Sequence, residues 1–185
     1  MNRTLIAMGG TAIAAFFFSL SLPDAIAQSV YNPLVIPESA KSPVLEPIDL
    51  TIGDSKHKRQ IPIRVYLPPD KTPSPVVLFS HGLGGSREGS GYLGRHWAGR
   101  GYTVIFLQHP GSDAAVWRDA PMRRRMQSLK SAANVQNFKS RVDDVHMVLD
   151  RLEVLNTDSE SPLSGRLDMK RVGMSGHSLD RKSVV

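Results

Sequence analysis

A doubly wound α/β sheet, mostly parallel, is the fold class this sequence predicts, and three observations predict it. The first is a set of short continuous apolar runs: Val76-Val77-Leu78-Phe79, Val104-Ile105-Phe106-Leu107 and the shorter Arg171-Val172-Gly173-Met174. A strand covered by helices on both faces has no wet side, so it reads as an unbroken apolar run rather than an alternation. The second is helical periodicity between those runs. The third is their order, strand, helix, strand, helix, strand, which is how a chain winds a parallel sheet with crossovers on both faces.

The chain has 185 residues, 41% of them apolar, enough for one domain with its own core. Residues 1 to 27 read as an export signal. Arg3 supplies the positive start, Leu5 to Leu22 is almost wholly apolar, and Ala25-Ile26-Ala27 has the small-x-small form of a cleavage site. An uncleaved membrane anchor is the competing reading, which Gly9-Gly10, Pro23 and the cleavage site oppose. The sequence therefore predicts a periplasmic or secreted protein whose membrane contact is confined to this signal. No cysteine is present, which excludes disulfides and lipid attachment through an N-terminal Cys.

Residues 28 to 46, with Pro33, Pro37 and Pro43, read as a Pro-rich leader without a periodic apolar face. The domain itself is expected over 47 to 179. It opens with Ile48, Leu50 and Ile52, then Ile61, Ile63, Val65 and Leu67, each alternating with polar neighbours across a turn at Gly53-Asp54. These are half-buried strands of an antiparallel hairpin, and Pro62 places the second at an edge or near its start. The first helix is expected to bury Tyr92, Leu93, His96 and Trp97 and to end at Gly101 in a left-handed cap. The second is expected to bury Val135, Phe138, Val142, Val145, Leu149 and Leu152, with Lys139, Asp143, Asp144 and Arg151 turned elsewhere. Residues 109 to 132 read as one long irregular connection, in which Trp117 could line a site or simply pack.

Net charge is +6, from 23 basic and 17 acidic residues. The basic residues are scattered and aromatics few, so the balance excludes a nucleic-acid partner. The densest basic run, Arg123-Arg124-Arg125 with Arg118 before it, reads as a solvated face; an acidic lipid or polymer surface is the alternative.

Two short motifs carry chemistry. Gly176-His177-Ser178 follows a buried strand, where a tight strand-to-helix turn can hold a serine hydroxyl exposed beside a base. The pattern opens as GxSxG but closes on Asp180, not Gly, and a plain Ser/Gly turn would read the same. Ser80-His81-Gly82-Leu83-Gly84-Gly85 follows the strand at 76 to 79, and such a glycine-rich turn can aim backbone N–H groups at a developing oxyanion. A phosphate cradle competes, but the loop lacks both the Walker lysine and the GxGxxG spacing. His57, His81, His96, His109, His146 and His177 show no zinc-ligand spacing, so structural or solvent roles are their default.

With HGLGGSRE, a strand ending Gln108-His109-Pro110-Gly111-Ser112 and a strand ending in GHSL, residues 45 to 179 resemble the bacterial dienelactone hydrolase-like proteins related to platelet-activating-factor acetylhydrolase, of the α/β-hydrolase superfamily. The resemblance implies a serine hydrolase of carboxylic esters acting on a small-molecule or lipid ester. It implies Ser178 as nucleophile, the backbone amides of Leu83 and Leu179 as oxyanion donors, and no metal or cofactor.

In such enzymes an acid and then a histidine follow the serine along the chain. Here no histidine follows Ser178, and Asp180, the only later acid, is too near to orient a base. His81, Asp113 and Ser178 satisfy a His, Asp, Ser order on paper, against which the βαβ layout argues. The domain is accordingly expected to be truncated after the nucleophile elbow, hardly active as it stands and prone to aggregate. Residues 180 to 185, Asp-Arg-Lys-Ser-Val-Val, resemble the translation of a common short-read sequencing adapter, and are expected to be a non-native tail standing where the family has glycine after Leu179. A non-catalytic hydrolase-like binding or surface protein is the alternative function.

Overall fold

The computed structural model describes residues 45–54 and 59–178. The signal at 1 to 27, nearly all of the leader, the Leu179 amide and the tail at 180 to 185 lie outside the described residues. Strands β1 (Ile48–Asp54), β2 (Arg59–Tyr66), β3 (Ser74–Ser80), β4 (Thr103–Leu107) and β5 (Leu167–Gly176) form one sheet in the order β1-β2-β4-β3-β5. The helices are α1 (Gly91–Ala98), α2 (Ala115–Arg118), α3 (Arg125–Ala132) and α4 (Val135–Thr157). β1 and β2 make the expected antiparallel hairpin, with Ile48 opposite Val65 and Ile52 opposite Ile61, while β3 is parallel to both β4 and β5. Among the described residues this is a mixed five-stranded sheet whose parallel strands are joined through helices, the α/β class the sequence predicts.

Alternate residues of the central strands serve opposite faces. Val76, Leu78, Ile105 and Leu107 pack with Val148 and Leu152 of α4, whereas Phe79, Val104 and Phe106 pack with Ala98 of α1 and, at its margin, Leu93 and Trp97. All five β4 side chains are buried. An apolar run without alternation therefore reports two covered faces, as the sequence implied.

Several details differ from the sequence reading, each for a local reason. β2 lies inside the sheet, between β1 and β4. Pro62 is tolerated because the register with β4 begins only at Ile63 opposite Leu107, so no ladder bond is lost there. β5 is ten residues long rather than four. Its register shifts: Pro75 faces Asp168 but Val76 faces Val172. The intervening Lys170 and Arg171 turn back to Asp168, through the Lys170 amide at 3.1 Å and the Arg171 Nε at 2.5 Å, and this bulge hides the strand in a polar stretch.

The inward face of α1 is Leu93, Gly94, Trp97 and Ala98; Tyr92 and His96 point to solvent. Small side chains at 94 and 98 let the helix lie directly on the Tyr66 ring, contact that periodicity of large residues does not register. The cap is as expected. Gly101 has φ +88, its N–H reaching Ala98 O at 3.0 Å and that of Tyr102 reaching Trp97 O at 3.2 Å.

The segment expected to be irregular is largely helical, as α2, a 3₁₀ turn at Met122–Arg124 and α3. Its lack of an apolar stripe concealed it. Arg123 and Arg124 are exposed, and Arg125 lies over Trp117, 5.4 Å from the ring centroid. In α4, Val135 is 84% exposed and Asp144, expected to face away, is wholly buried together with Arg141. Those two charged residues lead to the site.

Candidate active site

β5 delivers Ser178. Its backbone has φ +62, a left-handed conformation that a serine adopts at a cost, and its side chain is exposed two residues beyond the strand's last residue, Gly176. The preceding residue is tied to the neighbouring strand, the His177 N–H donating to Ser80 O at 3.2 Å.

The loop after β3 lies against this turn. A Cβ at Gly82 would sit 3.0 Å from both Ser178 Cβ and His177 Nδ1, so only glycine lets the loop approach this closely. Leu83 is half-buried. The Gly84 N–H donates to Ser112 O at 2.8 Å and that of Gly85 to Gly82 O at 2.9 Å, while the Leu83 N–H has no partner among the described residues. A phosphate cradle needs several amides in a row to point outward. Here the Gly84 and Gly85 amides are already engaged, by Ser112 O and Gly82 O.

The helical segment holds the loop from outside. Trp117 Nε1 donates to Gly84 O at 2.8 Å, so Trp117 packs on the loop. From α4, Arg141 donates to Ser112 Oγ at 2.9 Å and to the His81 carbonyl.

Beneath the loop the fold assembles a constellation that sequence reasoning missed. Ser80 Oγ is 2.9 Å from His109 Nε2, and His109 Nδ1 is 2.9 Å from Asp144 Oδ2. Arg59 at the start of β2 closes the chain, pairing with Asp144 through Nε and Nη2 and donating to Pro110 O at 3.0 Å. Burial acts to raise the Asp144 carboxyl, but the hydrogen bonds from Arg59 and His109 outweigh it and hold the group below the ordinary carboxylate value. An ionised Asp144 makes His109 Nδ1 the donor. Ser80, His109 and Asp144 are all 0% exposed.

His81, Asp113 and Ser178 are not assembled as a triad. Both His81 ring nitrogens are taken by backbone: Nδ1 lies 2.7 Å from Gly82 O, and Nε2 accepts from the His109 N–H at 3.1 Å. That pattern requires a neutral ring, and burial pushes the imidazole down to about 4. Asp113 accepts from Gln108 instead, at 2.7 Å. Among the described residues, no side chain hydrogen-bonds the Ser178 hydroxyl, and no group of three His, Asp or Glu is placed to hold a metal ion.

A family model described as platelet-activating factor acetylhydrolase, isoform II, matches residues 62–184, well over half of the chain. No curated protein matches. Among solved structures, a ferulic acid esterase from Streptomyces cinnamoneus is similar at 21% identity and TM-score 0.52, over 75% of this chain and 52% of that one. A protein described as a dienelactone hydrolase from Klebsiella pneumoniae is similar at 18% identity and TM-score 0.50, over 72% of this chain and 50% of that one. The chain thus spans about half the length of these neighbours, and at such identities the likeness establishes the fold alone.

Proposed function

We propose, from the premise that this chain belongs to the platelet-activating factor acetylhydrolase, isoform II, family, that it is the nucleophile-bearing part of an exported serine hydrolase that cleaves carboxylic esters. The observation that supports this reading best is the exposed, left-handed Ser178 pressed against Gly82, with the unpartnered Leu83 amide on the same loop. Ser178 Oγ attacks the ester carbonyl and the carbonyl electron pair moves to oxygen. The Leu83 N–H, with that of Leu179, meets the resulting oxyanion; loss of one such donor typically costs about 3 kcal/mol of barrier stabilisation. Collapse expels the alcohol and leaves an acyl-serine, which water then hydrolyses.

The hydroxyl needs a base, and the reading requires a histidine and its acid to reach Ser178 from beyond the described residues. Short acyl and aryl esters are the proposed substrates, and removal of residues 1 to 27 on export completes the proposal.

The test uses protein expressed from the complete gene, assayed on p-nitrophenyl acetate and butyrate. Ser178→Ala should lower kcat by at least about a thousandfold. Hydrolysis by the variant at the wild-type rate would remove Ser178 from its role. A wild-type protein that folds and binds esters without turnover would favour the non-catalytic reading.

A further inference from the structure

The polar constellation under the loop has the composition of a catalytic triad, and its place in the fold gives it a different task. We infer that Ser80, His109 and Asp144 form a positioning unit that sets the distance between the oxyanion loop and the nucleophile turn, without touching substrate. The inference rests on the esterase reading above.

Access decides against catalysis by this trio. A nucleophile must come within roughly 3 to 3.5 Å of the carbonyl carbon it attacks. Ser80 is 0% exposed, as are His109 and Asp144, so no ester reaches that hydroxyl.

Connectivity argues for positioning. Ser80 is the residue through which both halves of the candidate site are joined. Its chain continues into His81 and the loop, its carbonyl accepts the His177 N–H next to Ser178, and in the sheet it pairs with Gly176. Its side chain is the one part free to be fixed from elsewhere, and His109 fixes it. His109 also reaches the loop directly, its backbone N–H donating to His81 Nε2 at 3.1 Å. Asp144 determines the tautomer of His109, and Arg59 holds Asp144. One turn earlier on α4, Arg141 takes the His81 carbonyl. The ends of β3, β4 and β5 are thereby referenced to a single helix.

The chemistry of the trio points the same way. Apolar side chains of similar volume would fill this space without the cost of burying a carboxylate, so bulk does not explain the choice. Hydrogen bonds differ from apolar contacts in having direction, and a donor aimed at an oxyanion is useful only when its position is held to a fraction of an ångström.

Ser80→Ala and Asp144→Asn in protein from the complete gene test the idea, with Ser80→Thr as the variant that retains a hydroxyl. Ser80→Ala should lower kcat about tenfold to a hundredfold with KM within about twofold, and weaken inhibition by phenylboronic acid, an oxyanion mimic, by the same factor. Ser80→Thr should recover part of that loss, and a fluorophosphonate probe should label Ser178 in every variant that retains it. An unchanged kcat with only a lowered Tm would overturn the inference, as would a rise in KM alone. Label found on Ser80, or abolished by Ser80→Ala as by Ser178→Ala, would overturn it by making Ser80 the nucleophile. If Ser80→Ala does not fold, Asp144→Asn is read by the same criteria. Ser178→Ala reports separately on the esterase reading, so failure of one is distinguishable from failure of the other.

Discussion

Two serines at the ends of adjacent strands hold complementary halves of what acyl transfer needs. Ser80, closing β3, is hydrogen-bonded to a histidine that is hydrogen-bonded to an aspartate, and all three are sealed from solvent. Ser178, just past β5, is exposed on a left-handed backbone against Gly82 of the glycine-rich loop, and no side chain among the described residues hydrogen-bonds its hydroxyl. The difference teaches that a Ser, His, Asp set is defined by what it can reach. The same hydrogen bonds that would activate a hydroxyl at a surface serve, when buried, to hold three elements in register.

Three measurements sharpen or break this contrast. The largest effect is expected from Asp144→Ala. Removing the carboxylate leaves the Arg59 guanidinium and the His109 ring without their shared acceptor, and breaking a buried pair this way costs about 4 kcal/mol. Urea denaturation checks it, and a loss below about 1 kcal/mol would mean the buried serine's partners carry little of the fold.

The next effect is a pH dependence from His81. Its folded-state value is pushed to about 4 by burial, against an ordinary value near 6.5, so the unfolded chain binds the proton more readily. The contribution of neutral His81 is complete above pH 6.5. It declines as the pH falls toward 4, by up to about 3 kcal/mol over that range. His81→Gln should flatten this part of the stability profile; an unaltered slope between pH 4 and 6.5 would locate the dependence elsewhere.

The smallest effect concerns the contact between the two regions. Gly82→Ala places a methyl 3.0 Å from Ser178 Cβ and His177 Nδ1, and a few tenths of an ångström of retreat should lower kcat/KM about tenfold with Tm little changed. Wild-type kcat/KM in this variant would show that the loop can yield without disturbing the serine.

Much of this was legible in the residues themselves. The continuous runs at 76 to 79 and 104 to 107 marked central strands, and the alternation from Ile48 to Leu67 marked the hairpin, because strand periodicity depends only on which faces are covered. Gly101 announced its cap, since few other residues take positive φ there at no cost. The turn at Ser178 and the loop at His81 to Gly85 were visible through their glycines. What stayed hidden was polar. The β5 bulge looked like loop because Asp168, Lys170 and Arg171 satisfy one another locally, and α2 and α3 show no stripe although Trp117 and Leu129 lie against Gly84 of the glycine-rich loop.

The sequence by itself therefore determined the layering, the order of elements along the chain and the two turns that bear the candidate chemistry. Local φ preferences and hydrophobic period are properties of neighbours along the chain, and they can be read there. Only tertiary structure decided the meaning of His109 and Asp144. They stand 35 residues apart, on a strand end and on a helix face that periodicity assigned to solvent. A buried charge is stable only when distant partners satisfy it, and no local pattern records that such partners will meet.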